Sequence, residues 1–139
     1  NSFFVGSGTG LKRLELDGSS TPIADYATSQ HVISTHHHNY DPGKNGILVE
    51  VDTTTDVEST ILEVSKSGEV LDRFDLWSIV ENAMRDGSDD PSGFVRRDKD
   101  WLHNNAAAYW PERDELVVVR GADPLRELER LELGLGRRR

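Results

Sequence analysis

Apolar residues in this chain come in short runs cut by glycine, proline and asparagine, a rhythm that predicts strands rather than helices. Phe3 to Val5 and Leu11 to Leu16 read as two strands joined through Gly6-Ser7-Gly8-Thr9-Gly10. A phosphate loop needs a helix N-terminus behind such glycines. Here Leu11, Leu14 and Leu16 run on to the turn dipeptide Asp17-Gly18, so a hairpin accounts for them better. Ser19 to Gln30, which contains Pro22, reads as a connection. His31 to Ser34 forms a short strand running into Thr35-His36-His37-His38-Asn39-Tyr40. Asp41 to Gly46 has turn chemistry, Ile47 to Val51 is the next strand, and Ser59 to Phe74 is a hairpin turning at Ser67-Gly68.

Only from Asp75 does the period change. Leu76, Ile79, Val80 and Met84 recur at helical spacing, with Asp75 as candidate N-cap and Arg85-Asp86-Gly87 as the end. Ser88 to Lys99 is a charged loop, read either as a lid over a functional face or as a solvated crossing. The β-branched run Leu116-Val117-Val118-Val119 reads as a buried strand ending on Arg120. Beyond it two readings stand: a helix with Asp123 as cap and Leu125, Leu128 and Leu131 on one face, or a strand through Leu131-Glu132-Leu133. The arginines of the tail, Arg137 to Arg139, read as solubilising.

Two features repeat. A histidine, an asparagine, an aromatic residue, a proline turn and a β-branched strand occur in that order from His38 to Val51 and again from His103 to Val119. Strand-to-glycine turns end at Gly18 and Gly68, an interval close to the roughly 40 to 50 residues of a propeller blade. Sheet units at that spacing favour a radial array over a sandwich.

Charge narrows the function classes. A net charge of −9 and a pI near 4.9 argue against general attraction to nucleic acid or to an anionic membrane. Without cysteine there are no disulfides or thiolate metal sites. No apolar run has the length of a membrane-spanning helix, and no signal peptide is visible. Because Asn1 is not an initiator methionine, the chain is expected to begin inside a longer precursor or after processing. The three adjacent histidines invite a metal assignment, but neighbours on a strand point to opposite faces, so no metal site is assigned to them. For His36 in particular a solvated polar loop remains an alternative.

The chemistry concentrates between Asp100 and Arg120. Asp100, Trp101, His103 and Asn105 form D-W-x-H-x-N, followed by Tyr109, a strand and Arg120. An imidazole and a guanidinium at the two ends of one strand suit an anion such as sulfate or phosphate. This stretch resembles the PAPS-independent arylsulfotransferases, and His37-His38-Asn39 is similar to their H-H-D-like motif one blade earlier, with Asn39 in place of the acid.

The resemblance implies an all-β fold: β-propeller blades, a fragment of a six-bladed propeller, with one short inserted helix. Residues 1–30 would end one blade, 31–100 would form a blade with a helix and loop insertion, and 101–139 would start the next. It also implies ping-pong sulfuryl transfer from an aryl sulfate donor to a phenolic acceptor through a histidine intermediate, without a cofactor. His38 and His103 would donate to the sulfuryl oxygens or protonate the phenolate. Arg120 would hold the sulfate, Asn105 would orient His103, and His37 is a further candidate. Trp101 reads as core packing ahead of substrate stacking. The family's nucleophilic histidine lies downstream of the arginine, whereas no histidine follows His103 here. A non-catalytic, self-assembling propeller fragment is therefore the alternative. The expected partners are further copies of this chain or the remainder of a longer one, and the expected location is periplasmic or extracellular.

Overall fold

The computed structural model describes residues 2–27, 33–120 and 130–134. Within them the strands form three antiparallel meanders. The first is β1 (Ser2–Ser7), β2 (Gly10–Glu15) and β3 (Ser20–Asp25), in that spatial order. The second is β4 (Ile33–Pro42), β5 (Ile47–Thr53), β6 (Thr60–Val64) and β7 (Val70–Asp75). The third is β8 (Asn104–Trp110), β9 (Glu115–Arg120) and β10 (Arg130–Gly134), with β9 in the middle. Helix α1 (Leu76–Asp86) and a single 3-10 turn at Pro91–Gly93 occupy the connection between the second and third. The all-β class with one short helix thus agrees with the hydrophobic pattern.

The second meander is apolar on both faces, which is why β5 and β6 read as nearly continuous hydrophobic runs. Val49, Val51, Leu62 and Val64, all fully buried, pack with Leu11 and Tyr26 of the first unit. Leu48 and Ile61 turn the other way, into a cluster with Leu76 and Val80 of α1 and with Trp101, Leu102, Leu116 and Val118. Two cores therefore share one sheet. Trp101 belongs to the second of them, as the sequence suggests.

The first strands of successive units are neighbours: β4 touches both β1 and β8, and β8 also touches β5. The tips of the β4–β5 and β8–β9 hairpins are tied as well. Lys44 Nζ lies 2.5 Å from Asp114 Oδ1, which also accepts from the Tyr109 hydroxyl at 2.8 Å.

Several expectations are corrected. Ser20–Asp25 is a strand rather than a connection, and Pro22 is accommodated because β3 is the edge of its sheet. The histidine cluster is not a loop after the strand, since β4 continues through it to Pro42. The start of that strand at His31 and Val32 lies outside the described residues. Asn104–Trp110, too polar and alanine-rich to read as a strand, pairs with β9 along its length. That hairpin puts Asn104 opposite Arg120, so His103 and Arg120 approach one end of a two-stranded unit rather than opposite ends of a single strand. β9 is not buried on both sides: Leu116 and Val118 face the core while Val119 is 39 % exposed. Asp75 precedes α1 but makes no capping hydrogen bond, its carboxylate accepting instead from Arg73 Nε at 2.8 Å. Of the two readings for the C-terminal stretch, the strand is observed at Arg130–Gly134. Most of the alternative helix lies outside the described residues.

The recurring glycine turns are not equivalent in their surroundings. Gly18 and Gly68 both have positive φ, +85° and +88°. A Cβ on Gly18 would meet nothing within 4 Å, whereas one on Gly68 would stand 2.6 Å from the Ala24 Cβ. The Gly68 carbonyl also accepts from the buried Tyr26 hydroxyl at 2.8 Å. Gly18→Ala is expected to cost about 1 kcal/mol from backbone strain alone. Gly68→Ala adds overpacking between the first two units and should cost about 2 to 4 kcal/mol. Urea unfolding midpoints of the two variants check this, and equal losses would mean that the Gly68 turn does not bear on β3.

Candidate functional site

The first motif sits on a bulged strand and the second runs into one. On β4, His36 pairs with Val51 and Tyr40 with Val49, so His37, His38 and Asn39 together face the single position Glu50. On β8, Asn104 pairs with Arg120 and Ala106 with Val119, leaving Asn105 as the extra residue. Such bulges break the strict alternation of a strand and re-aim side chains. Because β4 and β8 touch, two motifs far apart in sequence come together.

The residue that joins them is Glu58, in the β5–β6 connection. Its Oε1 lies 2.9 Å from His37 Nε2 and its Oε2 lies 3.1 Å from His103 Nδ1. His103 Nδ1 is also 2.5 Å from Asp100 Oδ2, three residues earlier in the same motif. On the far side His37 Nδ1 faces Glu50 Oε2 at 3.4 Å. Each ring nitrogen of His37 thus has a carboxylate nearby, the closer one at Nε2, while His103 is held through Nδ1 and its ring is half-exposed. Glu58 and His103 are two of the non-glycine residues with positive φ, +44° and +48°. Strain of this kind persists where the surroundings over-determine it.

What over-determines Glu58 is its own loop. Its backbone N–H donates to Asp52 Oδ1 at 2.8 Å. Two residues earlier the buried Asp56 accepts from the hydroxyls of Thr53 and Thr55, each at 2.9 Å. Asp56 is also paired with Arg97, whose guanidinium lies 3.6 Å from the centre of the Trp77 ring on α1. The Val57 N–H donates to the Arg97 carbonyl at 3.0 Å. The charged loop after the helix is therefore fastened to the site loop, and is neither a free lid nor a purely solvated crossing.

The charges around these groups push their protonation in different directions. Burial, reinforced by the charges of Glu58, Asp52, Asp41 and Asp100, pushes the Glu50 carboxyl up to about 8. Burial also raises Glu58, against the nearby histidines. The hydrogen bond that His103 donates to Asp100 raises the imidazole above its ordinary value. For Asp56 burial acts upward, but the hydrogen bonds from Arg97, Thr55 and Thr53 outweigh it and hold the carboxyl low.

The remaining candidates are placed as follows. His38 lies within the β4 bulge, and its side chain is outside the described set. Arg120 sits across from Asn104, its guanidinium 5.5 Å from the Phe94 ring centre. Asn104, which the motif skips, is fully buried with neither amide atom bonded to a described partner. His36 is not solvated: its ring lies between Tyr26 and Tyr40, at 5.8 and 6.1 Å, and burial lowers its pKa. Glu58, Asp100 and His103 bring one potential metal ligand each within 4.8 Å of one another. Two tetrahedral zinc ligands at about 2.1 Å from the ion stand roughly 3.4 Å apart, wider than the Nδ1 to Oδ2 contact at 2.5 Å. An imidazole N–H donating to a carboxylate accounts for that contact better than a shared ion does.

Sequence reasoning missed Glu50 and Glu58. A lone acid inside the apolar run Ile47-Leu48-Val49-Glu50-Val51 was the available signal for the first. Nothing local marks the second.

The raised Glu50 carboxyl has a definite pH consequence. Between the ordinary value of 4.5 and about 8 the folded protein keeps a proton that the unfolded chain releases. Stability should therefore fall as pH rises through that window, by about 5 kcal/mol at most. Chemical denaturation across the window should show this slope in the wild type and a flattened one in Glu50→Gln. An unchanged slope would place the titration elsewhere. As for relatives, no curated protein and no solved structure matches the chain. The arylsulfotransferase (ASST) family matches residues 1–122, which take in every strand from β1 to β9 and both histidine motifs. The chain belongs to the arylsulfotransferase family.

Proposed function

We propose that this chain supplies part of a site for sulfuryl transfer from an aryl sulfate to a phenol, built on neighbouring blades of a propeller. The observation that carries this reading is the family match, taken with the meeting of the two histidine motifs at Glu58. The blade arrangement is supported by a repeated pattern of contacts. Aligned on their glycine turns, β1 to β3 correspond to β5 to β7, and β4 touches β1 just as β8 touches β5. On this reading residues 1–30, 31–100 and 101–139 belong to successive blades. The working compartment is periplasmic or extracellular. Among the described residues no helix is long and apolar enough to cross a membrane.

In the reaction the imidazole of the intermediate displaces a phenolate from sulfur, and the acceptor phenol then takes the sulfuryl group. The catalytic demand is to stabilise charge on the sulfuryl oxygens and to return a proton to the leaving phenolate. His103, held through Nδ1 by Asp100 and Glu58, presents Nε2 for that proton. Arg120 offers the planar fork that suits a sulfate, and His38 and Asn105 keep the supporting roles that the family resemblance implies. His37, with a carboxylate near each nitrogen, acts on its neighbours rather than on substrate. The nucleophilic imidazole that the family resemblance places downstream has no counterpart after His103 in this sequence. A second reading is a propeller module that assembles with other chains and does no chemistry.

Release of phenolate from a chromogenic aryl sulfate with a phenol acceptor should fall about 100- to 1,000-fold in His103→Ala. Equal turnover in the two proteins would remove His103 from the mechanism. Discrete oligomers in solution without any transfer would favour the second reading.

A further inference from the structure

The Glu58 side chain touches both histidine motifs and lies in neither of them. We infer that Glu58 is a positioning residue that clamps His37 and His103 together across the two hairpins, fixing which nitrogen of each ring carries a proton. The inference rests on the sulfuryl-transfer reading for its catalytic meaning, though not for its geometry.

A carboxylate has two equivalent acceptor oxygens, and Glu58 uses one on each ring. Both ring nitrogens that face it must therefore carry hydrogen: Nε2 of His37 and Nδ1 of His103. The neighbouring groups agree with that assignment. Asp100 accepts at the same His103 Nδ1, 2.5 Å away. His37 Nδ1 is left without hydrogen, facing the buried Glu50 Oε2 at 3.4 Å. The close contacts are those of His37 Nε2 with Glu58 Oε1 and of His103 Nδ1 with Asp100 Oδ2, while Glu58 Oε2 and Glu50 Oε2 approach their imidazoles as charge contacts rather than as aligned hydrogen bonds. The titratable groups facing the two rings are thus Glu50, Glu58 and Asp100.

The consequence for His103 is specific. With Nδ1–H committed to two carboxylates, Nε2 is the nitrogen that exchanges a proton with a phenol or phenolate. This is the logic by which a carboxylate behind an imidazole sets its tautomer. Glu58 makes this possible only because its loop is fixed from below by Asp56, Arg97 and the Asp52 contact. Its backbone is held there at a positive φ of +44°.

The clamp also explains why the first histidine motif stands so close to the second. His37 is a strut. It transmits the position of β4 to His103 through one carboxylate, so that the two hairpins approach the reacting group as a unit.

Glu58→Gln tests the clamp because an amide keeps the shape but has one acceptor oxygen. The NH2 end would face a ring nitrogen that must then give up its hydrogen. Long-range proton–nitrogen NMR spectra of the histidine rings near neutral pH should show hydrogen on His37 Nε2 and His103 Nδ1 in the wild type. In Glu58→Gln at least one ring should change tautomer while the backbone spectrum stays that of the folded protein. Glu58→Asp, a residue that tolerates positive φ more readily, guards against simple misfolding and should detach one of the two rings because it is a methylene shorter.

With an aryl sulfate donor, kcat should fall about 10- to 100-fold in Glu58→Gln while KM stays within about twofold, since Glu58 does not touch substrate. Unchanged ring tautomers in both variants would overturn the clamp. Changed tautomers in a protein with no transferase activity would leave the clamp standing and remove the sulfuryl-transfer reading. Displacement of the two ring hydrogens by micromolar zinc would overturn the clamp in favour of a metal site.

Discussion

The pair between Asp56 and Arg97 is the tie on which the arrangement depends, because it joins the two connections that carry the site. Asp56 opens the turn that ends at Glu58, and Arg97 closes the loop that delivers Asp100, Trp101 and His103 to the start of β8. The aspartate is almost wholly buried, and its oxygens are shared among a guanidinium and two threonine hydroxyls. A buried ion pair gains little net stability over an apolar substitute, but removing one member leaves the other charge stranded, at about 3 to 5 kcal/mol. Its importance here is geometric. Trp77 under the guanidinium extends the tie to the helix, so that α1 acts as a backstop for a loop it otherwise barely touches.

Above this tie the site is built from conflict as much as from complementarity. Four acidic side chains, Glu50, Asp52, Glu58 and Asp100, are drawn close together around two imidazoles, and their charge adds to burial in raising the carboxyls of Glu50 and Glu58. An apolar filling of the same space would be more stable, by the general rule that buried polar groups cost free energy unless fully paired. Two residues with left-handed backbone at its centre add strain. Such costs are ordinarily concentrated where a structure does chemistry.

Much of the fold could be read in the sequence, and the failures have physical causes. Hairpins with glycine turns were visible because Gly18 and Gly68 supply a backbone conformation other residues resist. α1 was visible because its apolar stripe has a helical period. β3 was hidden by Pro22, which is unfavourable in a central strand and harmless at an edge. β8 was hidden by Asn104, Asn105 and three alanines, residues of low strand propensity that are held there by pairing with β9. The site divides in the same way. D-W-x-H-x-N announces His103 and Asp100 because their spacing is local. Glu58 belongs to no motif, since its partners are brought to it by two bulges and a loop closure that no window of sequence contains.

The edge position of β3 bears on how this protein meets other chains. A proline has no N–H to offer, so Pro22 interrupts the row of donors that an incoming strand would need. The outer strand of the second unit, β7, carries Asp72, Arg73 and Asp75 along its short length, a composition that disfavours sheet extension. These two rims are defended against amyloid-like growth. A neighbouring chain would dock by stacking side chains against a sheet face, a contact whose strength follows apolar area and is indifferent to hydrogen-bond register.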